Sequence, residues 1–257
     1  MTFWEHLDEL RKVLFHVAIA ITVIGILAFS FKEVLFSIIL GPGKSDFVSY
    51  RFLTWVSQEL SMPSINPGDF HIELISTQLT SQFMTHLSVA FYMSLLLTLP
   101  YLLFQLYRFV SPALYSYERN YTVRVVVWSY ILFMCGVLLN YFIIFPLTFR
   151  FLGTYQVSSE VSNLITLSSY IDTLVVLSLL MGLLFEIPIL SWLFAKLGFL
   201  TARFMRRYRR HAIVIILIVA AVITPTADIF TLMVVSTPIY LLYEISILIV
   251  KRTTKER

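Results

Sequence analysis

The sequence predicts an all-α, polytopic membrane protein with six transmembrane helices and both termini in the cytoplasm. Three observations carry this expectation. The 257 residues are 58% apolar and only 13% charged, with a mean hydropathy of +0.84, whereas soluble domains run at about 45–50% apolar and about 25% charged. The apolar residues fall in runs long enough to cross a bilayer, separated by short polar links. Lysine and arginine are shared very unequally among those links. The whole chain, residues 1–257, therefore reads as one integral membrane domain.

Residues 2–12 read as an amphipathic, interfacial lead-in helix on the cytoplasmic side. Thr2 and Glu5 have capping-box spacing. Phe3, Leu7, Leu10 and Leu14 recur at three- and four-residue steps and share a face, while Glu5, Asp8, Glu9 and Lys12 lie off it. Trp4 suits a headgroup-level anchor. The acids at the start, with no small-residue cleavage site after the first apolar run, argue for a retained span rather than a secretory signal.

The first span is Val13–Phe31, free of Asp, Glu, Lys and Arg. Residues 32–78 form a long external connection punctuated by Gly41-Pro42-Gly43, Pro63 and Pro67-Gly68, with a short surface helix over Arg51–Leu60 that puts Phe52, Val56 and Leu60 on one side. The second span runs from about Phe83 to Tyr107 and contains Pro100. A polar break over Phe109–Arg119 follows, where Pro112 ends or redirects the chain. The third span is about Val123–Phe149 and the fourth about Tyr170–Ala195. A basic link from Lys196 to Arg210 leads to Ala212–Thr224, apolar for only 13 residues. At about 1.5 Å per residue this reaches roughly 20 Å, so the fifth element is either a short span or half of a re-entrant hairpin. After a turn at Pro225–Asp228, the sixth segment, Ile229–Val250, is interrupted by Pro238 and Glu244 and is expected to be short as well. The tail, residues 251–257, is basic and cytoplasmic.

Four links, at the N-terminus, 105–124, 196–210 and the tail, carry 15 of the 19 basic residues, and the intervening ones carry 4. The positive-inside rule then places the first group in the cytoplasm. The same distribution explains the net charge of +4 without a nucleic-acid partner.

Glu186, in Phe185-Glu186-Ile187-Pro188, is the one carboxylate deep in an apolar segment. A charge there costs at least about 2.5 kcal/mol, so it must be protonated, paired or facing water. It reads as an intramembrane polar site or as a structural hydrogen bond to a Tyr, Thr or Gln on another span. Glu244 lies near the basic tail and reads as a pairing or snorkelling residue. Asp228 reads as the N-cap of the last helix. Cys135 reads as a small buried hydrophobe with no disulfide or metal partner. The sequence has no nucleophile constellation, phosphate loop or metal-ligand cluster, so neither catalysis nor a cofactor is expected. A small proton-coupled secondary transporter using Glu186 is the alternative, although no internal repeat is evident.

Leu7-Asp8-Glu9-Leu10-Arg11, the break Phe109-x-x-Pro112-Ala-Leu114-x-x-x-Glu118-Arg119, Tyr141-x-x-x-Phe145-Pro146, Phe185-Glu186-Ile187-Pro188, Thr224-Pro225 with Asp228, and Tyr243-Glu244-Ile245 occur in order. Together they resemble the TatC family, the receptor subunit of the twin-arginine protein translocase. The resemblance implies a concave, glove-like body in the bacterial inner (plasma) membrane and a non-enzymatic receptor for twin-arginine signal peptides of folded proteins. It implies transport driven by the protonmotive force, with TatA/TatB-type single-span partners in homo- and hetero-oligomers. It places signal-peptide contacts at Glu9 and Glu118, with Arg11 and Phe109 in the same two motifs, and the membrane polar site at Glu186. It leaves Pro112, Asp228 and Glu244 as structural or partner-contact positions. The sequence departs from many relatives at Leu79 and Ser81, where a Pro and an acid are common, and at Leu232, where a Gln is common.

Overall fold

The computed structural model describes residues 3–59, 73–110, 122–155, 164–224 and 229–255. In order, the chain forms α1 (Phe3–Ser30), α2 (Lys32–Ile39), α3 (Val48–Glu59), β1 (Leu74–Ile75), α4 (Ser81–Val110), α5 (Thr122–Leu139), a π-helical turn (Asn140–Ile144), α6 (Phe145–Thr154), β2 (Ile165–Thr166), α7 (Leu167–Phe185), α8 (Ile187–Lys196), α9 (Ala202–Arg207), α10 (Arg209–Ile223) and α11 (Ile229–Lys255). Five helical stretches among the described residues are long and apolar enough to cross a membrane: Leu7–Ser30, Ser81–Leu106, Val123–Thr154, Leu167–Lys196 and Ile229–Thr253. α10 is a 15-residue helix, in keeping with a short fifth element.

Several expectations need correction. The lead-in helix and the first span are one continuous helix, α1, because nothing between Arg11 and Val13 breaks the backbone ladder. The sixth segment is not short. α11 runs for 27 residues straight through Pro238, whose missing N–H costs less than breaking so long an apolar helix. Cys135 is exposed on the outer face of α5 rather than buried. The third span continues past Pro146 to Thr154 because the π turn absorbs an extra residue just before the proline. α3 is anchored by Tyr50, which is buried, while Phe52 faces outward.

The centre of the molecule is the antiparallel pair α5 and α7. Gly136 faces the backbone of Met181, and a Cβ there would lie 2.6 Å from the Met181 carbonyl oxygen. Gly182 faces Phe133, and a Cβ there would lie 2.6 Å from its ring. Lipid tails are as apolar as leucine, so membrane helices associate through this kind of close approach rather than through exclusion from water. Tyr92, Leu96 and Leu99 of α4 cover Phe133 and Val137 on one side. Val235, Ile239 and Leu242 of α11 pack with Ile216 and Ala220 of α10, Met181 and Phe185 on another.

One end of the bundle carries a tied cap. The Tyr141 hydroxyl donates to the Ile38 carbonyl at 2.6 Å, and the Tyr170 hydroxyl to that of Ile39 at 2.9 Å. The Tyr50 hydroxyl lies 3.1 and 3.0 Å from the carbonyls of Pro42 and Pro146, and burial raises its pKa above the ordinary phenol value. Ser49 donates to the Phe142 carbonyl. These tyrosines satisfy carbonyls released where α2 ends at the Gly41–Gly43 turn. β1 pairs in parallel with β2, Leu74 opposite Ile165, and so joins the connection before α4 to the one before α7.

The α5–α7 contact yields a prediction. Gly136→Ala and Gly182→Ala should each destabilise the detergent-extracted protein by about 1–3 kcal/mol through overpacking. Gly25→Ala should be neutral or slightly stabilising, because its Cβ would meet Ser94 at an ordinary 3.6 Å. Thermal or denaturant unfolding of the three variants checks the ranking.

Candidate functional site

The structure bears on two groups of sequence-predicted residues. The first lies where α1 and α4 meet. The two helices run antiparallel. Gly25 faces Ser94, and the Phe29 ring stacks on His86 with centroids 3.9 Å apart and contacts Phe83 edge-on at 6.3 Å. Glu9 lies sixteen residues before Gly25, and Val110, the last residue of α4, lies sixteen after Ser94. Equal rise along both helices, about 1.5 Å per residue, therefore brings Glu9 level with the end of α4. Glu9 is half-buried and Arg11 exposed. Leu7, Leu10, Arg11, Leu14, Phe15 and Ala18 line an open, apolar depression of about 440 Å³ on α1. Phe109 belongs to the last turn of α4. Pro112, Glu118 and Asp228 lie outside the described residues.

The second group is inside the bundle. Glu186 is the residue at which α7 ends and α8 begins, and it is 8% exposed. Its Oε2 accepts a hydrogen bond from Ser129 Oγ of α5 at 2.8 Å, while its Oε1 is buried with no partner among the described residues. This is a structural hydrogen bond to another span, but its donor is a serine rather than the Tyr, Thr or Gln expected from the sequence. Three turns along the same interface, Asn140 Nδ2 donates to Ser178 Oγ at 2.8 Å, and Asn140 Oδ1 is buried with no partner among the described residues. The α5–α7 interface thus reads polar pair, glycine contact, glycine contact, polar pair. Asn140 also opens the π turn, a geometry that often marks a functional segment.

Glu244 pairs with Arg209 of α10, at 2.8 Å, rather than with the tail. The side chains are 45% and 29% exposed, so the pair contributes no more than about 1 kcal/mol and mainly fixes how α10 meets α11.

Sequence reading missed Ser129, Asn140 and Tyr50. Asn140 carried a usable signal, since it is the only side-chain amide in its span and is as conspicuous there as Glu186. Ser129 carried none. Serines occur in most of these spans, and only the α5–α7 register selects this one.

Comparison with known proteins gives a consistent result. The family model described as Sec-independent protein translocase protein (TatC) matches residues 5–238. A Sec-independent protein translocase protein TatC of Blattabacterium sp. subsp. Periplaneta americana is 35% identical, over all of this chain and 97% of that one. TatCy of Bacillus subtilis is 32% identical over 98% of this chain and 89% of the other. A crystal structure of the twin-arginine translocase receptor TatC superposes with a TM-score of 0.74 at 30% identity, covering 97% of this chain and 99% of that one. A second, in the detergent DDM, gives 0.76 at 29% identity, covering 96% and 99%.

Ser129→Ala should cost about 1–3 kcal/mol of stability, because it leaves the Glu186 carboxyl buried without a donor. The double variant Ser129→Ala with Glu186→Met should recover much of that loss, since both polar partners are then gone. Denaturant titration of Ser129→Ala, Glu186→Met and the double variant in detergent checks this, and a double variant as unstable as the sum of the two singles would contradict it.

Proposed function

The chain belongs to the TatC family of Sec-independent protein translocase proteins, and from that premise we propose that it binds twin-arginine signal peptides and organises the export of folded proteins. It is a transport protein of the membrane, and the small-solute transporter alternative is not favoured. The observation that carries the binding proposal is the antiparallel register of α1 and α4, which brings Glu9 level with Val110, eight residues before Glu118 in the chain.

The chemistry fits two adjacent arginines. Arginine is charged at any physiological pH, and its planar fork matches a carboxylate with two parallel hydrogen bonds. Glu9 and Glu118 would take one guanidinium each. Arg11 and Phe109 would flank them, Arg11 by keeping the acids from taking up other cations and Phe109 by offering a face on which a guanidinium stacks. The apolar depression beside Glu9, floored by Leu7, Leu10 and Leu14, offers a surface to the apolar part of the same peptide.

The wider reading follows the charge distribution. α10 would be the fifth of six crossings, short enough that the bilayer thins around it. Both termini and the basic links would face the cytoplasm of a bacterium, with the tyrosine-tied cap outside the inner membrane. The body would be concave, with Glu186 as its polar membrane site. Single-span partners of the TatA/TatB type would assemble on the body, with Asp228 near such a contact, and the protonmotive force would drive transport.

Glu118→Gln and Glu9→Gln should each weaken binding of a twin-arginine peptide by about 1.5–3 kcal/mol, roughly tenfold to a hundredfold in Kd, while the protein stays folded. Site-specific crosslinking and peptide titration of the detergent-extracted protein read this directly. A twin-lysine peptide should bind as weakly to the wild type. Unchanged crosslinking in Glu118→Gln would remove Glu118 from the site.

A further inference from the structure

The end of the molecule where α8, α9, α10 and α11 converge carries a charge imbalance that peptide binding does not use. No Asp or Glu occurs from residue 187 to residue 227, yet Lys196, Arg203, Arg206, Arg207, Arg209 and Arg210 fall inside that stretch. Of these, Arg209 pairs with Glu244. No carboxylate among the described residues pairs with Arg203, Arg206, Arg207 or Arg210, and all four are exposed. Lys251 and Arg252, exposed near the end of α11, add to the same field.

This link is held rigidly. α8 ends in a Schellman turn, with Gly198 at φ 84°, the Phe199 N–H on the Phe194 carbonyl at 2.9 Å and the Gly198 N–H on that of Ala195 at 3.1 Å. Thr201 caps α9 by accepting from the Phe204 N–H at 3.3 Å. Met205 is buried against Ala195, Ile247 and Val250, and the Tyr243 hydroxyl donates to its carbonyl at 2.8 Å. With Met205 inward, Arg203, Arg206 and Arg207 recur at three- and four-residue steps on the outer side of α9. Beside them runs a row of rings. Phe204 and Tyr208 have centroids 4.7 Å apart, and Tyr208 and His211 5.4 Å. Phe204 and Phe199 are 54% and 80% exposed.

The level is also fixed. Lys196 is the last residue of one membrane-spanning stretch, and Arg252 lies next to the last residue of another. The guanidiniums and the rings therefore lie at the end of two membrane-spanning stretches, the level expected for phospholipid headgroups, and among the described residues no carboxylate pairs with Arg203, Arg206, Arg207 or Arg210.

We propose that this α8–α11 end binds the phosphate of an anionic phospholipid headgroup, with Arg203, Arg206, Arg207 and Arg210 donating hydrogen bonds to its oxygens and Phe199, Phe204 and Tyr208 seated in the adjoining glycerol and upper acyl layer. Arginine suits a phosphate through two parallel N–H···O bonds, and exposed aromatic rings favour the interfacial layer. A soluble acidic partner would have no use for the exposed phenylalanines at this depth. The bound lipid would brace the connection between α8 and α10 from outside. Basic residues at a membrane surface attract anionic lipids cumulatively, so the site should be salt-sensitive and saturable.

The test uses the full-length protein, delipidated in a non-ionic detergent and titrated with phosphatidylglycerol or phosphatidylcholine. Bound lipid is counted by native mass spectrometry, and Tm is followed in parallel. Phosphatidylglycerol should bind saturably and raise Tm, while phosphatidylcholine should do neither. The triple variant Arg203→Gln, Arg206→Gln, Arg207→Gln leaves the Arg209–Glu244 pair and the Tyr243–Met205 bond in place and should bind phosphatidylglycerol about tenfold or more weakly. Lys251→Gln with Arg252→Gln should weaken it far less. Equal retention of the two lipids by the wild type would overturn the proposal even if the triple variant did not fold. Displacement of the lipid by an equal concentration of inorganic phosphate would overturn it in favour of a free-phosphate site. Undiminished phosphatidylglycerol binding by the folded triple variant would also overturn it, leaving the patch to an acidic protein.

Discussion

The close approach of α5 and α7 at Gly136 and Gly182 is the constraint on which the rest of the structure depends. In a bilayer no hydrophobic force presses helices together, so a stable core has to come from van der Waals fit and a few hydrogen bonds. The two glycines supply the fit. The polar pairs Ser129–Glu186 and Asn140–Ser178 fix the register above and below them, because a slip of even one residue would leave polar atoms unpartnered in an apolar interior. Glu186 then sits at the junction where α7 gives way to α8, and α8 is free to pack along α11. The Glu186 carboxyl is at once part of the scaffold and a buried polar group within a long apolar helical stretch, and one of its oxygens has no partner among the described residues.

At one end of the bundle, tyrosine hydroxyls do what water does for a soluble loop. A long connection over a membrane protein must satisfy the carbonyls released where its helices stop. Here Tyr141, Tyr170 and Tyr50 reach across from other elements to do so, and the β1–β2 pairing closes the same surface. The cap therefore fixes the start of α4 against the start of α7. Since α1 packs along α4 through Gly25, Ser94, Phe29 and His86, the cap also sets the level at which α1 and α4 present their far ends. The peptide-binding proposal rests on that inheritance. Two rigid helices of similar length, registered at one end, place Glu9 at a known height at the other.

Much of this was legible in the sequence, and the parts that were not have identifiable reasons. Hydropathy located the long spans, because length and apolarity alone decide them. Glu186 stood out because a carboxylate in an apolar run is costly wherever it occurs. The boundary at residue 12 and the interruption expected at Pro238 were misread, because local breaking signals are weak against the cost of unsatisfied backbone in lipid. Cys135 was misjudged because an apolar run in a membrane protein has an outside that is also apolar, so small and hydrophobic does not imply buried. Ser129 and the pairing of Glu244 with Arg209 depend on which helices touch, information that no single span contains. Of the two carboxylates assigned to the signal peptide, Glu9 lies on a described helix. Glu118 was read from a motif and lies in a segment beyond the end of α4.

The central claim is that Glu9 and Glu118 are close enough to share one pair of adjacent arginines. It is tested most directly by a distance between the two elements, with the flanking positions Lys12→Cys and Tyr117→Cys spin-labelled in a Cys135→Ala background that removes the exposed native thiol, so that Glu9 and Glu118 stay in place to take the peptide. Adjacent arginine Cα atoms are about 3.8 Å apart and each side chain is long, so the account predicts roughly 20 Å or less between labels, narrowing when a twin-arginine peptide is added. A separation well beyond that range, unchanged by peptide, would contradict it.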